Sequence, residues 1–273
     1  MNIFNFIEKI GEVKINNSQN QSRRESLFNF GSIGKDLALA AIPVAILAAI
    51  PKSGNAKTSS AITDVLNFAL TLEFLESSFY TQGVASGVIP AVDLAIFNQI
   101  KKHEASHVAF LQSTITTLGG TPVTSPTFDF TAMGAFNPFN VYADFLALAQ
   151  AFEDTGVRAY KGQAGNLISN NDVLTAALQI HSVEARHASE VRRLRNKNGF
   201  DATAKGWITG NSRGTLPAAT QAVYDGAISE SNTVQGGVDI TTLTTFSVGS
   251  ITEAFDEPLT DTETLAIANL FIV

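Results

Sequence analysis

The sequence predicts an all-α fold: a four-helix bundle with a long crossover between its second and third helices, followed by a mixed C-terminal extension. Three observations carry this expectation. Four segments between Ser60 and Gly199 repeat their apolar residues at three- and four-residue steps, the period of a helix packed on one face. The second and third segments are separated by TPVTSPTFDFTAMGAFNP, whose three prolines rule out a continuous helix. Chemically demanding residues also recur at a shift of eighty positions: Glu73 with Glu153, Tyr80 with Tyr160, Glu104 with Glu184 and His107 with His187. A shift of that kind marks an internally duplicated helix pair.

Residues 1–56 read as an export signal. A polar stretch ending in Ser22-Arg23-Arg24-Glu25-Ser26-Leu27 precedes the apolar run Leu37 to Ile50, and then PKSGNAK, with Ala56 as the cleavage point. The paired arginines resemble the twin-arginine signal S-R-R-x-F-L-K, matching at Ser22, Arg23, Arg24 and Leu27 and departing at Ser26 and Phe28. The apolar run contains Pro43 and is short for a bilayer span, so membrane contact is expected only during export. The mature protein is expected outside the cytoplasm, in the periplasm or beyond. The competing reading is an amphipathic N-terminal helix retained on the folded protein.

The bundle occupies residues 60–199. Its first helix carries Ile62, Val65, Leu66, Ala69, Leu72 and Phe79 as one stripe and ends at Gly83 and Gly87. Asp93 is expected to cap the second, whose apolar positions run from Leu94 to Ile115 before Gly119-Gly120. Asn137-Pro138 is expected to open the third as N-cap and first helical residue. Asn170-Asn171-Asp172 caps the fourth, which ends near Asn198-Gly199. Residues 200–273 have no partner in the repeat. They contain a short helix around Pro217–Tyr224 and a capping box, Thr260 with Glu263, before a final apolar helix. This extension is expected to pack on the bundle or to build an oligomer contact. Its acidic residues Glu253, Asp256 and Glu257 fit no EF-hand spacing.

Composition limits the chemistry. The chain has 273 residues, a net charge of −7 and no basic run longer than Arg192-Arg193-Leu194-Arg195, so nucleic acid is not the expected partner. Cysteine is absent, which excludes disulfides, thiolate catalysis and iron–sulfur clusters. Any metal must be held by oxygen and imidazole ligands. Residues three apart on a helix share a face, so Glu104-x-x-His107 and Glu184-x-x-His187 each present a carboxylate and an imidazole together. Glu73 and Glu153 add one carboxylate from each remaining helix. Four ionised glutamates balance two divalent cations, whereas without metal they would repel one another. Glu76 and Glu190 read as solvated-face residues, and His103, about 100° round the helix from Glu104, falls outside the site. His181 lies one turn before Glu184, but its counterpart in the repeat is Lys101, which favours a surface role. Tyr80 and Tyr160 lie two turns beyond Glu73 and Glu153. They either hydrogen-bond those carboxylates or serve as ordinary core residues.

The set Glu, Glu-x-x-His, Glu, Glu-x-x-His is the ligand pattern of di-iron carboxylate bundles. On these residues the sequence resembles the ferritin-like superfamily over all four helices, Ile62 to Asn196. In layout it is most similar to a ferritin-like domain family of exported bacterial and plant desiccation-related proteins, whose C-terminal segments ITEAFDEPL also resembles. The resemblance implies two iron ions, with manganese as the alternative, bridged by Glu104 and Glu184 and capped by Glu73, Glu153, His107 and His187. It implies oxidase, peroxidase or ferroxidase chemistry with dioxygen or peroxide. A homo-oligomer is a separate expectation. The second expectation is a non-enzymatic stress or desiccation protein in which metal is a structural clip. Rubrerythrin-type iron domains need cysteines that are missing here. Bacterioferritin-type haem ligation needs a helical methionine, and Met133 lies in the crossover. A storage cage is disfavoured by the long C-terminal extension.

Overall fold

A computed structural model describes residues 56–273. The expected export signal lies, apart from its last residue, outside the described residues. Four long helices form the bundle: α1 (Ala56–Ser86), α2 (Leu94–Thr117), α3 (Tyr142–Ala164) and α4 (Asn171–Lys197). The chain is mostly helical, with α1 packed chiefly along α2 and α3 along α4. Short links join the members of each pair, and residues 118–141 cross between the pairs, as the proline-rich segment requires. Among the described residues, no helix is long and apolar enough to cross a membrane.

Apolar residues fill both ends of the bundle and leave a polar band between them. One cluster holds Leu75, Phe79, Phe97, Phe145, Phe152, Val191 and Leu194, with Phe79 and Phe145 stacked at 4.9 Å. The other holds Leu66, Leu70, Leu111, Ile115, Leu167, Val173 and Ile180. Along each of α1, α2 and α4 the sequence passes from one cluster to the other, and the glutamates and histidines fall at the passage. Burying a large aliphatic or aromatic side chain contributes roughly 1.5–3 kcal/mol, so these two clusters set the helix positions and the polar band must conform.

Two expected helix starts are corrected. The third helix begins at Tyr142, not at Asn137-Pro138. Asn137 instead heads a separate turn, its carbonyl accepting from Asn140 and Val141 at 3.2 and 2.9 Å. The β-branched Val141 is extended and divides that turn from the helix, while Asp144 reaches back to accept from the Asn137 N–H at 2.8 Å. Asp93 does precede α2, but its side chain caps nothing. It accepts from the Tyr142 hydroxyl at 2.9 Å and from Lys197 at 3.2 Å, tying the start of α3 and the end of α4 to the start of α2. Asn170 caps α4 as expected, accepting from Val173 N–H.

The extension includes a 3-10 turn (Ala218–Val223), a hairpin of β1 (Val234–Gln235) and β2 (Val238–Asp239), and helices α5 (Val248–Thr252) and α6 (Asp261–Ala268). The capping box of Thr260 and Glu263 forms as expected. The extension runs along the outer face of α3. Arg158, fully buried, donates to the carbonyls of Glu257, Asp225 and Ile228 at 2.8, 2.9 and 2.8 Å and pairs with Glu230 at 2.7 Å. Leu259 N–H donates to the Arg158 carbonyl at 3.1 Å, and a Cβ on Gly162 would stand 2.0 Å from the Leu259 carbonyl oxygen. Only glycine permits that approach. The chain then ends beside the crossover, where Phe128 bridges Ile272. As a result, every residue of α3 from Phe145 to Tyr160 is buried.

Candidate metal centre

Six side chains converge in the polar band. Glu73 comes from α1, Glu104 and His107 from α2, Glu153 from α3, and Glu184 and His187 from α4. All six are buried, and the four glutamates are wholly inaccessible. Their donor atoms form two overlapping groups, Glu73–Glu104–His107–Glu184 and Glu104–Glu153–Glu184–His187, each with all donors within 4.8 Å of one another. Glu104 and Glu184 belong to both.

The two groups repeat each other's partners. His107 Nδ1 lies 3.2 Å from Glu73, 3.1 Å from Glu104 and 3.2 Å from Glu184. His187 Nδ1 lies 2.9 Å from Glu104, 3.2 Å from Glu153 and 3.9 Å from Glu184. The tyrosines complete the pattern across the repeat. Tyr160 on α3 donates to Glu73 Oε1 on α1 at 2.5 Å, and Tyr80 on α1 donates to Glu153 Oε1 on α3. Of the two readings open for these tyrosines, each holds in part: the rings belong to the apolar clusters and the hydroxyls hold carboxylates. With Oε1 held by tyrosine, Oε2 of Glu73 and of Glu153 faces the histidine of its own group.

Electrostatics shows how costly this arrangement is without a cation. Burial, reinforced by the neighbouring Glu104 charge, pushes the Glu184 carboxyl well above the usual range. Glu104 is pushed up to about 7, chiefly by burial. Burial lowers the affinity of His187 for a proton, but Glu153, Glu104 and Glu184 outweigh it and raise its pKa to about 11. The protons are therefore held in a cluster that neither imidazole nor carboxylate occupies comfortably. Glu104 Oε1, Glu153 Oε2, both oxygens of Glu184 and His187 Nδ1 have no hydrogen-bond partner, although His187 Nδ1 is close to two of those oxygens. Close atoms that are not aligned as donor and acceptor are what a set aimed at a shared point produces. Each such buried orphan costs about 1–3 kcal/mol.

Two side chains depart from their expected roles. Glu76 is buried, not solvated, and burial together with the four central glutamates raises its pKa well above normal. Glu76 stands three residues after Glu73 and so on the same side of α1; it lines a pocket with Phe152, Gly156 and, from α6, Ile267. Its place in the repeat is taken by Gly156, where a Cβ would stand 3.3 Å from both Glu76 Oε1 and Glu184 Oε2. His103 is the second correction. It points away from its helical neighbour Glu104 but toward α4, where its Nδ1 meets His187 Nε2 at 2.8 Å. The sequence signal was its asymmetry, since the eighty-residue shift puts Val183 opposite it. Glu190 is half-buried, and Glu253 pairs with Lys205 while Glu257 accepts from Asn232 and Gln235, so those acidic residues form no common site.

Comparison with known families agrees with the bundle and its limits. The ferritin-like domain family matches residues 61–197, the span of the four helices and half of the chain. The chain belongs to the ferritin-like family. The ferritin-like domain ends where the extension begins, so the contacts of Arg158 and α6 lie beyond what the family match covers. No curated protein matches the chain. The residues of this ferritin-like domain fit a metal site on their own chemistry: buried, orphaned oxygens and imidazole nitrogen, without sulfur, in two groups with two shared carboxylates.

Proposed function

We propose that this ferritin-like protein holds two metal ions, iron or manganese, and reacts them with dioxygen or peroxide. The single observation that carries the reading is the pair of four-donor groups sharing Glu104 and Glu184. A bound pair of such ions supplies one-electron redox chemistry to an oxidant. The chain's own residues do the rest. Glu104 and Glu184, common to both groups, would help hold both ions, while Glu73 with His107 and Glu153 with His187 would each help hold one. Tyr160 and Tyr80 fix the capping carboxylates and leave one oxygen of each free for metal. The apolar clusters above and below exclude water, which strengthens every charge interaction between them. Two divalent ions against four ionised glutamates leave the centre neutral.

The burial of the six side chains also suits a second reading, in which metal clips the two helix pairs together in a structural or desiccation-related protein. Anaerobic loading with Fe²⁺ followed by dioxygen or peroxide separates the two. Oxidation above the rate of free Fe²⁺, dependent on Glu104 and Glu184, is expected. Metal uptake without oxidant consumption overturns the redox reading and leaves the clip. We further propose that the chain is exported with its N-terminal segment removed near Ala56. Sequencing of the N-terminus of protein recovered outside the cytoplasm tests this, and an intact Met1 there contradicts it.

A further inference from the structure

The two histidines are equivalent in what their Nδ1 atoms face and unlike in what stands behind them. His187 Nε2 meets His103 Nδ1 at 2.8 Å, and His103 Nε2 meets the Gln99 amide at 2.6 Å. His103 is half-buried and Gln99 exposed, so two hydrogen bonds connect His187 to the surface of the bundle. The rings of His103 and His187 lie within 10° of parallel. Among the described residues, no protein group is hydrogen-bonded to His107 Nε2. The repeat explains the difference: the positions matching Gln99 and His103 are Gln179 and Val183, and valine cannot accept a hydrogen bond.

We infer that His103 is a positioning residue for one metal position alone, holding His187 with Nε2–H donated outward and the Nδ1 lone pair turned to the metal, so that the two positions bind with different strength. This rests on the metal-centre reading above. The chemistry follows from the imidazole. A neutral ring carries one N–H, and whichever nitrogen donates leaves the other as the ligand. His103 Nδ1 accepts from His187 Nε2–H, which sets His103 itself as the Nε2–H form. Gln99 must then present its amide oxygen to that N–H, an orientation that the hydrogen-bond network assigns. A ligating histidine whose far N–H is accepted in this way is both fixed in direction and made more basic, and loss of the acceptor weakens metal binding about 10–100-fold. His107 has no such acceptor, so its position is expected to be the weaker.

The test is anaerobic titration of the metal-free full chain with Co²⁺, followed by its visible spectrum and by calorimetry. Wild type is expected to bind two ions in two resolved steps. His103→Val, which copies the residue of the other repeat, should weaken the tighter step about 10–100-fold and bring the two steps together. His103→Asn places an amide oxygen where Nδ1 stands and should restore the resolved steps. Circular dichroism of both variants establishes that they fold. Two unchanged, resolved steps in His103→Val overturn the inference while leaving the metal centre intact. Loss of both steps together, or failure of Asn to restore them, overturns it too, because His103 would then support the bundle and not one ligand. Wild type that binds no Co²⁺ refutes the metal-centre reading instead.

Discussion

The helix pairs α1–α2 and α3–α4 descend from one pattern, and they differ in a way that separates two kinds of constraint. Glu73, Tyr80, Glu104 and His107 are matched one for one by Glu153, Tyr160, Glu184 and His187, and all eight meet in the polar band. Elsewhere the match dissolves. Leu70, Phe74 and Ser78 on α1 correspond to Gln150, Asp154 and Arg158 on α3. Those α3 residues bind Tyr224, Arg192 and the carbonyls of the extension. Positions that face the centre have been kept by the need for the same donor atoms from both sides. Positions on the outer face of α3 have been rebuilt to receive some seventy residues that α1 never meets in the same way. His103 against Val183, and Glu76 against Gly156, show the same divergence close to the centre itself.

The comparison breaks first at the shared carboxylates. Glu104→Ala combined with Glu184→Ala removes the donors common to both groups, and metal analysis should find essentially none bound. Glu73→Ala or Glu153→Ala removes a donor from one group only, and should leave close to half of the wild-type metal. Equal losses from all of these variants would show that the groups are not organised around the shared pair.

The next largest effect belongs to the rebuilt face. Arg158→Met leaves Glu230 buried without its partner and several carbonyls without a donor, and should cost about 3–5 kcal/mol in urea unfolding of the metal-free protein. Ser78→Ala at the matching place on α1 should stay within about 0.5 kcal/mol, as ordinary partly exposed substitutions do. Similar costs at the two positions would contradict the asymmetric role of the extension. The tyrosines should restore the symmetry. Tyr80→Phe and Tyr160→Phe each strip a buried carboxylate oxygen of its donor, and each should cost about 1–3 kcal/mol with the two values close together.

pH acts on the same central cluster. Glu104, raised from its ordinary range to about 7, binds its proton more tightly folded than unfolded. Stability from that group is therefore greatest at low pH and falls as pH rises between the unfolded and folded values. His187, raised to about 11, has the same sign: its contribution is full below its ordinary pKa and is lost as pH climbs toward 11. Thermal unfolding of the metal-free protein should thus move to lower temperature from pH 5 to pH 9. Loading with a divalent metal, which takes the place of those protons, should flatten or reverse the trend. A metal-free protein that becomes more stable over that interval would contradict the assignment of these protons.

Much of the site was legible because helical spacing is a local property. Glu104 and His107 must share a face whatever surrounds them, and the eighty-residue shift supplied the second pair. The helix caps at Asn170 and Thr260 were legible for the same reason. Most of what escaped depends on elements remote in sequence. Glu76, three residues after Glu73, falls on the inner side of α1 by the same spacing rule, and only its cover by α6 is remote in sequence. His103 was set aside by its angle to Glu104, but its partner is on α4. Asp93 lost its capping role to Tyr142 and Lys197, and Asn137 lost its helix to the extended Val141. For Asp93 and His103 a tertiary partner outweighs a local rule, and for Asn137 a near neighbour in sequence does.

Anomalous diffraction from crystals of the full chain loaded anaerobically with Mn²⁺ or Fe²⁺ tests the central claim most directly. Two peaks are expected, roughly 3.5–4 Å apart as in two-metal sites generally, with Glu104 and Glu184 in contact with both. A single peak, or peaks that Glu104 and Glu184 do not share, would contradict the duplicated metal centre.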